Sequence, residues 1–507
     1  MIDHKHISLS VILTMAAFEM AAGQELAQAP RLVVSISIDQ LRSDYLEAFA
    51  PLYGEGGFKR LLNNGLVYPN ASYPFTPVDR ASAVASVSTG TTPYYNGIVG
   101  GRWLNKETLR PMTCDSPGSL SVSTIGDELK VATGGKSVVY AISPFCDAAI
   151  MSAGHAANGA AWIDDRTGKW TSSSFYSPYA GWLNAYSSLT GVISAKEWTP
   201  ISDLVGNFSY FLSGGLSKPF KHKFNTERKF IQYKTCGLVN SDVTSLAIQC
   251  MTSTSMGQDA VTDLLSITYY AGNYDHKPLN KCQMELQDTY VRLDEDIARL
   301  LNDIDQRIGL SKVMVMVTGT GYTDEDNADY EKFKIPSGTF YLNRTANLLN
   351  MYLGALWGQG QYIETCFGRE VFINHKLIES KQISLAEATK RSQEFLLQMS
   401  GVRNVYTSQQ LLSEHNPQLA KVRNGFFAER CGDIIIEVAP GWKIINENTQ
   451  ESTHSRASYI QFPIIFLGAA TKAHKVETPV TTDRIAPTIA KAIRIRAPNA
   501  CMSEPLF

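Results

Sequence analysis

The chain has 507 residues, of which 44% are hydrophobic and 19% are charged. This composition excludes a disordered protein and is typical of a globular chain that can bury one large core or two. The net charge of -2 and the pI near 6.5, without a dense block of Lys and Arg, argue against a protein that binds nucleic acid through a basic surface.

The N-terminus has the pattern of a secretory signal peptide. Lys5 and His6 precede an apolar run over residues 7–22, and residues 21–23 are small, as a cleavage site requires. We therefore predict that residues 1–23 are a signal peptide and that the protein is periplasmic, outer-membrane-associated or secreted in a bacterium. The run is shorter than the roughly 20 apolar residues of a membrane span, so we expect no transmembrane segment after cleavage. A membrane anchor and a frayed helix of a cytosolic protein are the alternatives.

The eight cysteines contain no Cys-x-x-Cys pair, so the sequence does not support a zinc ribbon. In an exported chain an even number of cysteines permits disulfides. We predict one local bridge, between Cys236 and Cys250, and the alternative is that several cysteines are buried thiols.

Strand and helix patterns alternate along the chain after the N-terminus. The apolar run Arg31–Asp39 predicts a central parallel strand with Asp39 at its carboxyl end, where open α/β sheets bind their ligands. Further strands are predicted over 137–142, 264–270, 313–318, 434–438 and 464–467, and helices over 54–66, 123–132, 286–304 and 483–493. We predict one α/β domain over 30–507, with a mostly parallel sheet between layers of helices.

Two insertions are predicted to cap this sheet. The first, at about 155–235, is rich in Trp, Tyr and Phe among Gly, Ser and Pro. We expect these aromatic side chains to pack under long loops rather than stack on bases, because basic residues are not interleaved with them. The second, at about 324–406, includes a helix with a capping box over Ser384–Glu387.

The stretch Thr76–Gly101 is unusual at the point where an α/β enzyme often carries its nucleophile. Residues 81–88 are only Ala, Val and Ser, which predicts a short buried helix that Gly90 ends. The first residue of this helix is Arg80. Arginine is not a nucleophile, and a cation is unfavourable at the positive end of a helix dipole.

Eight segments, in order along the chain, resemble the alkaline phosphatase superfamily, and within it the bacterial phosphate-irrepressible alkaline phosphatases and their nucleotide pyrophosphatase relatives. They are Ser37–Tyr45, Tyr53–Phe58, Thr89–Pro93, Gly97–Gly100, Ser123–Lys130, Ala153–Ala160, Asp288–Asp294 and Ile485–Ile489. The resemblance implies an alkaline-phosphatase-like fold. It also implies a family site in which Asp and His hold two zinc ions around a Thr nucleophile, while Lys, Arg and Asn bind the phosphoryl oxygens.

Transferred to this sequence, the family pattern implies that the catalytic positions are replaced. The nucleophile position holds Arg80, and the phosphoryl-binding Asn position holds Gly101. The Lys-x-Arg pair becomes Phe145 and Asp147. The resemblance therefore implies a degenerate site with none of the family's catalytic groups.

The metal positions are replaced to the same extent. Asp39 is kept as a remnant ligand. The other positions hold Tyr269, Asn273, Thr320, Gly321 and Gln461, with His454 as an alternative for the last. Because one ligand of about six cannot hold two zinc ions, we predict that the protein carries no metal or other cofactor.

We predict that the replaced positions leave a residual pocket in which Arg80 pairs with Asp39, so that a guanidinium neutralises the carboxylate that zinc would otherwise neutralise. The pocket residues are Asp39, Arg80, Asp147, Tyr269, Asn273 and Thr320. The alternative is a shifted register in which Thr76, Asp275 or His276 rebuilds part of a site.

These replacements predict a catalytically inactive protein that acts as a binding or scaffold subunit for protein partners in the cell envelope. One alternative is an active phosphomonoesterase or phosphodiesterase with an altered site, which would need zinc. The other is a sugar- or peptide-binding protein that uses the residual pocket and the aromatic insertion.

Overall fold

The structure is a computed structural model that describes residues 28–176, 181–189, 193–203, 205, 219–324, 333–413, 416–454 and 460–507. The predicted signal peptide lies outside these residues. Parts of both predicted insertions lie outside them as well.

A ten-stranded sheet forms the centre of the fold. In spatial order its strands are His474–Lys475, Leu66–Ser72, Phe462–Gly468, Val313–Gly319, Leu32–Asp39, Asp263–Tyr270, Val139–Ile142, Gly159–Ile163 and Trp170–Thr171, with Val480–Thr481 paired to Leu66–Ser72. Phe462–Gly468 runs antiparallel to both of its neighbours, and Trp170–Thr171 is also antiparallel. The sheet is therefore mixed but mostly parallel, and the predicted α/β class is confirmed.

The strand Leu32–Asp39 lies at the middle of the sheet and is buried along its whole length. It runs parallel to Asp263–Tyr270 on one side and to Val313–Gly319 on the other. Continuous apolar runs suit such strands because helices cover both faces of a parallel sheet. The register brings Asp39 beside Tyr270, and Ile38 beside Gly319, so three strands end together at one edge.

The helices flank this sheet and extend into the cap. They are Ser43–Ala48, Phe58–Asn64, Arg80–Thr89, Pro93–Asn96, Ile125–Ala132, Cys146–Ala153, Gly181–Leu189, Lys229–Lys234, Leu238–Thr254, Gln283–Arg307, Leu342–Trp357, His375–Ser380, Leu385–Leu396, Ser408–Ser413, Ala420–Asn424 and Ile485–Ile493. Within the part of the chain that is described, none of them combines the length and apolar character needed to cross a membrane.

The helix predicted over 54–66 begins later, at Phe58. The reason is a carboxylate: Asp294 accepts hydrogen bonds from the backbone N–H groups of Gly54 and Phe58, at 2.9 and 2.7 Å. These bonds hold the preceding glycine-rich turn outside the helix.

A cap with its own apolar core covers the carboxyl edge of the sheet. It contains a three-stranded sheet of Gly338–Tyr341, Trp442–Asn446 and Glu451–His454. A four-stranded sheet follows the order Ile363–Phe367, Glu370–Ile373, Ile434–Val438 and Val402–Thr407. These strands continue beyond residue 406, and the limits of both insertions stay predictions.

Two two-stranded sheets complete the described strands. They are Arg102–Leu104 with Pro111–Thr113, and Glu197–Trp198 with His222–Lys223. Described aromatic residues of the first insertion, including Trp170, Tyr176 and Trp182, pack against the main core. These three side chains are therefore largely unavailable as a platform for a sugar, whereas Phe175 is 50% exposed.

The predicted bridge between Cys236 and Cys250 is wrong, since all eight cysteines are free thiols. Cys250 lies well inside the helix Leu238–Thr254, which Cys236 precedes. At 1.5 Å per residue a helix places the two Cα atoms about 20 Å apart. A disulfide needs a Cα separation below about 7 Å.

Candidate functional site

Arg80 is the first residue of a buried helix that ends at Gly90 in the left-handed conformation, as the sequence predicts. Asp79 precedes the helix as its N-cap and forms a capping box with Ser82. The second carboxylate oxygen of Asp79 accepts a hydrogen bond from the backbone N–H of Gly101 at 2.6 Å. The helix start and the Gly101 loop are thus joined through one carboxylate.

The Arg80 guanidinium lies between two carboxylates. Its Nε and Nη2 donate to the two oxygens of Asp147, both at 3.0 Å, and its Nη1 donates to Asp39 Oδ2 at 3.3 Å. The predicted pair with Asp39 is present, but the bidentate partner is Asp147. The Phe145 ring lies 3.6 Å from the guanidinium carbon, which adds a cation–π contact. Phe145 and Asp147, which stand at the family's Lys and Arg positions, thus both contact Arg80.

The electrostatics of this cluster follow from burial and proximity. Burial opposes the charge of Arg80, but Asp147 and Asp39 raise its pKa well above the ordinary value. Asp39 is fully buried, and this burial raises its pKa while Arg80 opposes the rise. Thr320 donates to Asp39 Oδ1 at 3.0 Å. Asp39 therefore already has a cation and a hydroxyl as partners.

The family resemblance predicts Tyr269 as a pocket residue, but its side chain faces away from the pocket. Its hydroxyl lies 2.8 Å from the hydroxyl of Thr244, on the helix Leu238–Thr254. Successive side chains of a strand point to opposite faces, so the next residue, Tyr270, points toward the site. Tyr270 interacts with the charges of Asp39 and Arg80.

The remaining family positions are used structurally. Asn273 donates to the carbonyl of Lys277 at 2.9 Å. Gly321 has a φ of +69°, and a Cβ there would contact the ring of Tyr73. Gln461 donates to Asn70 at 2.6 Å on the exposed edge of the sheet. His454 ends a cap strand, and its side chain lies outside what the structure describes.

A second pair of ionisable groups lies beside Asp39. His276 Nδ1 and Asp324 Oδ2 are 2.6 Å apart. Asp324 also accepts a hydrogen bond from Gln40 Nε2 at 2.7 Å, and Gln40 directly follows Asp39. His276, which the shifted-register alternative named, thus lies beside Asp39, and that alternative stays a prediction. Asp275 instead pairs with Arg228, at 3.1 Å.

The backbone at this point is strained. Asp275 and His276 have φ values of +52° and +51°, which side chains other than glycine adopt at a cost of about 1 kcal/mol or more per residue. Burial lowers the pKa of His276, but the hydrogen bond and charge of Asp324 more than offset this, so the pKa lies above its ordinary value of 6.5. Strain of this kind concentrates at functional sites.

A cleft of about 670 Å³ lies between the sheet edge and the cap. Asp79, Tyr322 and Asp324 line it from the sheet side, whereas Arg369, Arg403 and Glu437 line it from the cap. Its volume is within the range of sites that bind small organic ligands. Sequence reasoning missed Asp324, Tyr270 and Arg369, since each lies at or beyond the end of a strand without any motif around it.

The residues of the family's metal positions do not fit two zinc ions. Tyr269 and Gln461 point elsewhere, Gly321 has no side chain, and Asp39 is neutralised by Arg80. Over the described ranges, no group of three or more His, Cys, Asp and Glu side chains has the arrangement of a metal site. The chemistry of this site is therefore derived from its own side chains.

Three bacterial proteins have sequences similar to this chain over nearly its whole length. Alkaline phosphatase PhoV of Synechococcus elongatus is 28% identical, with 94% of this chain and 92% of PhoV covered. A calcium-transporting ATPase of Myroides odoratus is 27% identical over 99% of both chains. Alkaline phosphatase PafA of Elizabethkingia meningoseptica is 26% identical over 94% of both chains.

The fold is similar as well. The crystal structure of wild-type PafA superimposes with a TM-score of 0.82 at 26% identity, and the match covers 95% of this chain and 99% of PafA. The predicted alkaline-phosphatase-like fold is therefore confirmed.

These similarities overturn the prediction of a catalytically inactive scaffold. Relatives that match over nearly the full length of the chain are named alkaline phosphatases. They favour the alternative, a phosphoric ester hydrolase with an altered site, and they leave the prediction of no cofactor without support.

The family described as type I phosphodiesterase / nucleotide pyrophosphatase matches residues 33–460. This match takes in the strand that ends at Asp39, the Arg80 helix, His276 and most of the cap. The chain belongs to the type I phosphodiesterase / nucleotide pyrophosphatase family.

Proposed function

We propose that the protein hydrolyses phosphoric esters with an altered site, in which a water molecule replaces the family's nucleophile. The observation that carries the proposal is the pair of His276 and Asp324, held 2.6 Å apart beside Asp39. Full-length similarity to named alkaline phosphatases supports the reaction class.

His276 is suited to the role of general base. With Nδ1 donating to the Asp324 carboxylate, Nε2 is the nitrogen that takes up a proton, and it has no hydrogen-bond partner among the described residues. The side chain is 42% exposed, so water reaches it. A base held by a carboxylate in this way contributes about 10²–10⁴-fold to a rate.

The reaction balances without a covalent intermediate. His276 accepts a proton from water as the water oxygen forms a bond to phosphorus. The bond from phosphorus to the ester oxygen breaks, and the departing oxygen takes the proton from the imidazolium. The products are an alcohol and phosphate, or a phosphate monoester when the substrate is a diester.

Arg80 is a cation whose charge acts on His276. Three of its N–H groups donate to Asp39 and Asp147, which leaves two of the five that a guanidinium carries. We assign these two groups to the phosphoryl oxygens, whose negative charge increases as the new bond forms. No zinc ion at the family's positions takes part in this scheme.

The test is turnover of p-nitrophenyl phosphate and bis-p-nitrophenyl phosphate by purified protein, with elemental analysis of the same sample. We expect hydrolysis of at least one ester with less than one zinc per chain. Stoichiometric zinc with turnover that a chelator abolishes would refute the water route and leave hydrolysis standing. No turnover of any phosphoric ester, with or without added zinc, would refute the function itself.

Export to the periplasm or cell surface fits a phosphatase that acts on external esters, and we propose it on the signal-like N-terminus. Fractionation of the native host tests this, since an unprocessed protein in the cytosol would contradict it. A protein partner in the cell envelope stays a prediction.

A further inference from the structure

Arg369 lines the cleft, and among the described residues its positive charge has no ion pair to neutralise it. It lies in the two-residue turn between the cap strands Ile363–Phe367 and Glu370–Ile373, where Gly368 takes a φ of +58°. Glycine at the first position of such a turn is favoured because other residues rarely adopt a positive φ. The turn holds residues 367–370 against the cleft, which all of them line.

The guanidinium of Arg369 has no carboxylate within ion-pair distance and no side-chain hydrogen bond in the part of the chain that is described. By contrast, Arg403, in the same cleft, lies 3.5 Å from Glu437. Burial lowers the pKa of Arg369, although the charges of Glu370 and Glu437 oppose this effect. A cation in such a place is costly unless an anion joins it.

The adjacent carboxylate fills this role only in part. Glu370 acts on Arg369 through its charge, but it forms no ion pair with it among the described residues. Its Oε2 instead accepts a hydrogen bond from the backbone N–H of Gly432 at 2.9 Å. Burial raises the pKa of Glu370, whereas the hydrogen bond from Gly432 and the charge of Arg369 oppose the rise. Among the described residues, Arg369 is therefore the cap arginine that lines the cleft without an ion pair.

We propose that Arg369 binds a second anionic group of the substrate, remote from the phosphorus that is attacked at the sheet edge. The preferred substrates are then phosphoric esters that carry a further phosphate or similar anion across the cleft. This inference rests on the proposed function, because it assigns the scissile phosphoryl group to the Arg80 and His276 side. Arg369 acts here as a specificity-determining residue.

Binding without turnover provides the test. The probes are propane-1,3-diyl bisphosphonate, which has two anionic groups, and propylphosphonate, which has one; neither is hydrolysed. Isothermal titration calorimetry of the full chain should give at least tenfold tighter binding of the bisphosphonate. Arg369→Gln should remove that preference and leave propylphosphonate binding unchanged, as a charged hydrogen bond contributes tenfold or more. Arg369→Lys should retain most of it, because it keeps the charge.

Arg344→Gln is the matched control, since Arg344 is a cap arginine that pairs with Glu447 at 3.3 Å and does not line the cleft. It should alter neither affinity. Equal binding of both probes by the unaltered protein, or equal weakening of both by Arg369→Gln, would overturn the inference. If the preference is present but no ester is hydrolysed, the proposed function fails while the anion subsite stands.

Discussion

Two clusters of charged residues lie at the same edge of the sheet. They differ in how many of their polar groups already have a partner within the protein. In the first, Arg80 is bound by Asp39 and Asp147 and by the ring of Phe145. In the second, the His276–Asp324 pair leaves Nε2 without a partner among the described residues and stays 42% exposed. Most donors of Arg80 are therefore used within the fold and two N–H groups are left for a substrate, whereas the base of the second cluster is open to water.

The largest effect is expected from His276→Ala. Loss of the base should lower kcat/KM for p-nitrophenyl phosphate by about 100-fold or more, with little change in the melting temperature. His155→Ala is the matched control, because His155 also pairs with an aspartate, Asp127, at 3.0 Å but lies away from the cleft. Equal losses in both variants would show that His276 has only a structural role.

Arg80→Met should act on stability first. It leaves the fully buried Asp39 without its cation, and breaking such a pair costs about 3 kcal/mol or more. We expect a clear fall in the denaturant midpoint. Arg391→Met, which breaks exposed ion pairs with Glu387 and Glu394, should leave the midpoint unchanged. An unchanged denaturant midpoint for Arg80→Met would show that the ion pairs of Arg80 do not stabilise the fold.

The dependence of the rate on pH sharpens the comparison further. A general base must be neutral, and the pKa of His276 is raised above 6.5 mainly by Asp324. The rate should therefore increase with pH through a midpoint above 6.5. Asp324→Asn should move this midpoint to lower pH, because it removes the carboxylate that stabilises the imidazolium. A midpoint below 6.5, or one that Asp324→Asn does not move, would exclude His276 as the base.

The smallest effect is expected from a reductant. Because all eight cysteines are free thiols, dithiothreitol should leave the melting temperature unchanged. A marked fall would show that a disulfide stabilises the protein.

The central elements of the fold could be predicted from the sequence. Three elements could be predicted from their pattern of apolar residues and from the residues at their ends. They are the strand that ends at Asp39, the small-residue helix that begins at Arg80 and the buried strand Val313–Gly319. The resemblance to a family then led to the positions that surround Asp39.

The site itself was predicted less well, since contacts between distant residues have no local signal. The bidentate bond from Arg80 to Asp147 joins two helix starts, and the contact of His276 with Asp324 joins two loops. Tyr269 was misplaced because a shift of one residue along a strand reverses the face on which a side chain lies. The loss of the family's metal ligands led to the prediction of an inactive protein. That prediction did not consider ionisable groups outside the family's motifs.

The central claim is that water attacks phosphorus directly, because Arg80 stands where a nucleophile would. The most direct test is hydrolysis of a p-nitrophenyl phosphorothioate that is chiral at phosphorus through two oxygen isotopes, in water enriched in the third isotope, because the inorganic thiophosphate that forms is then itself chiral. One in-line displacement predicts inversion of configuration. Retention, which two successive displacements through a covalent phosphoenzyme would give, would contradict the account.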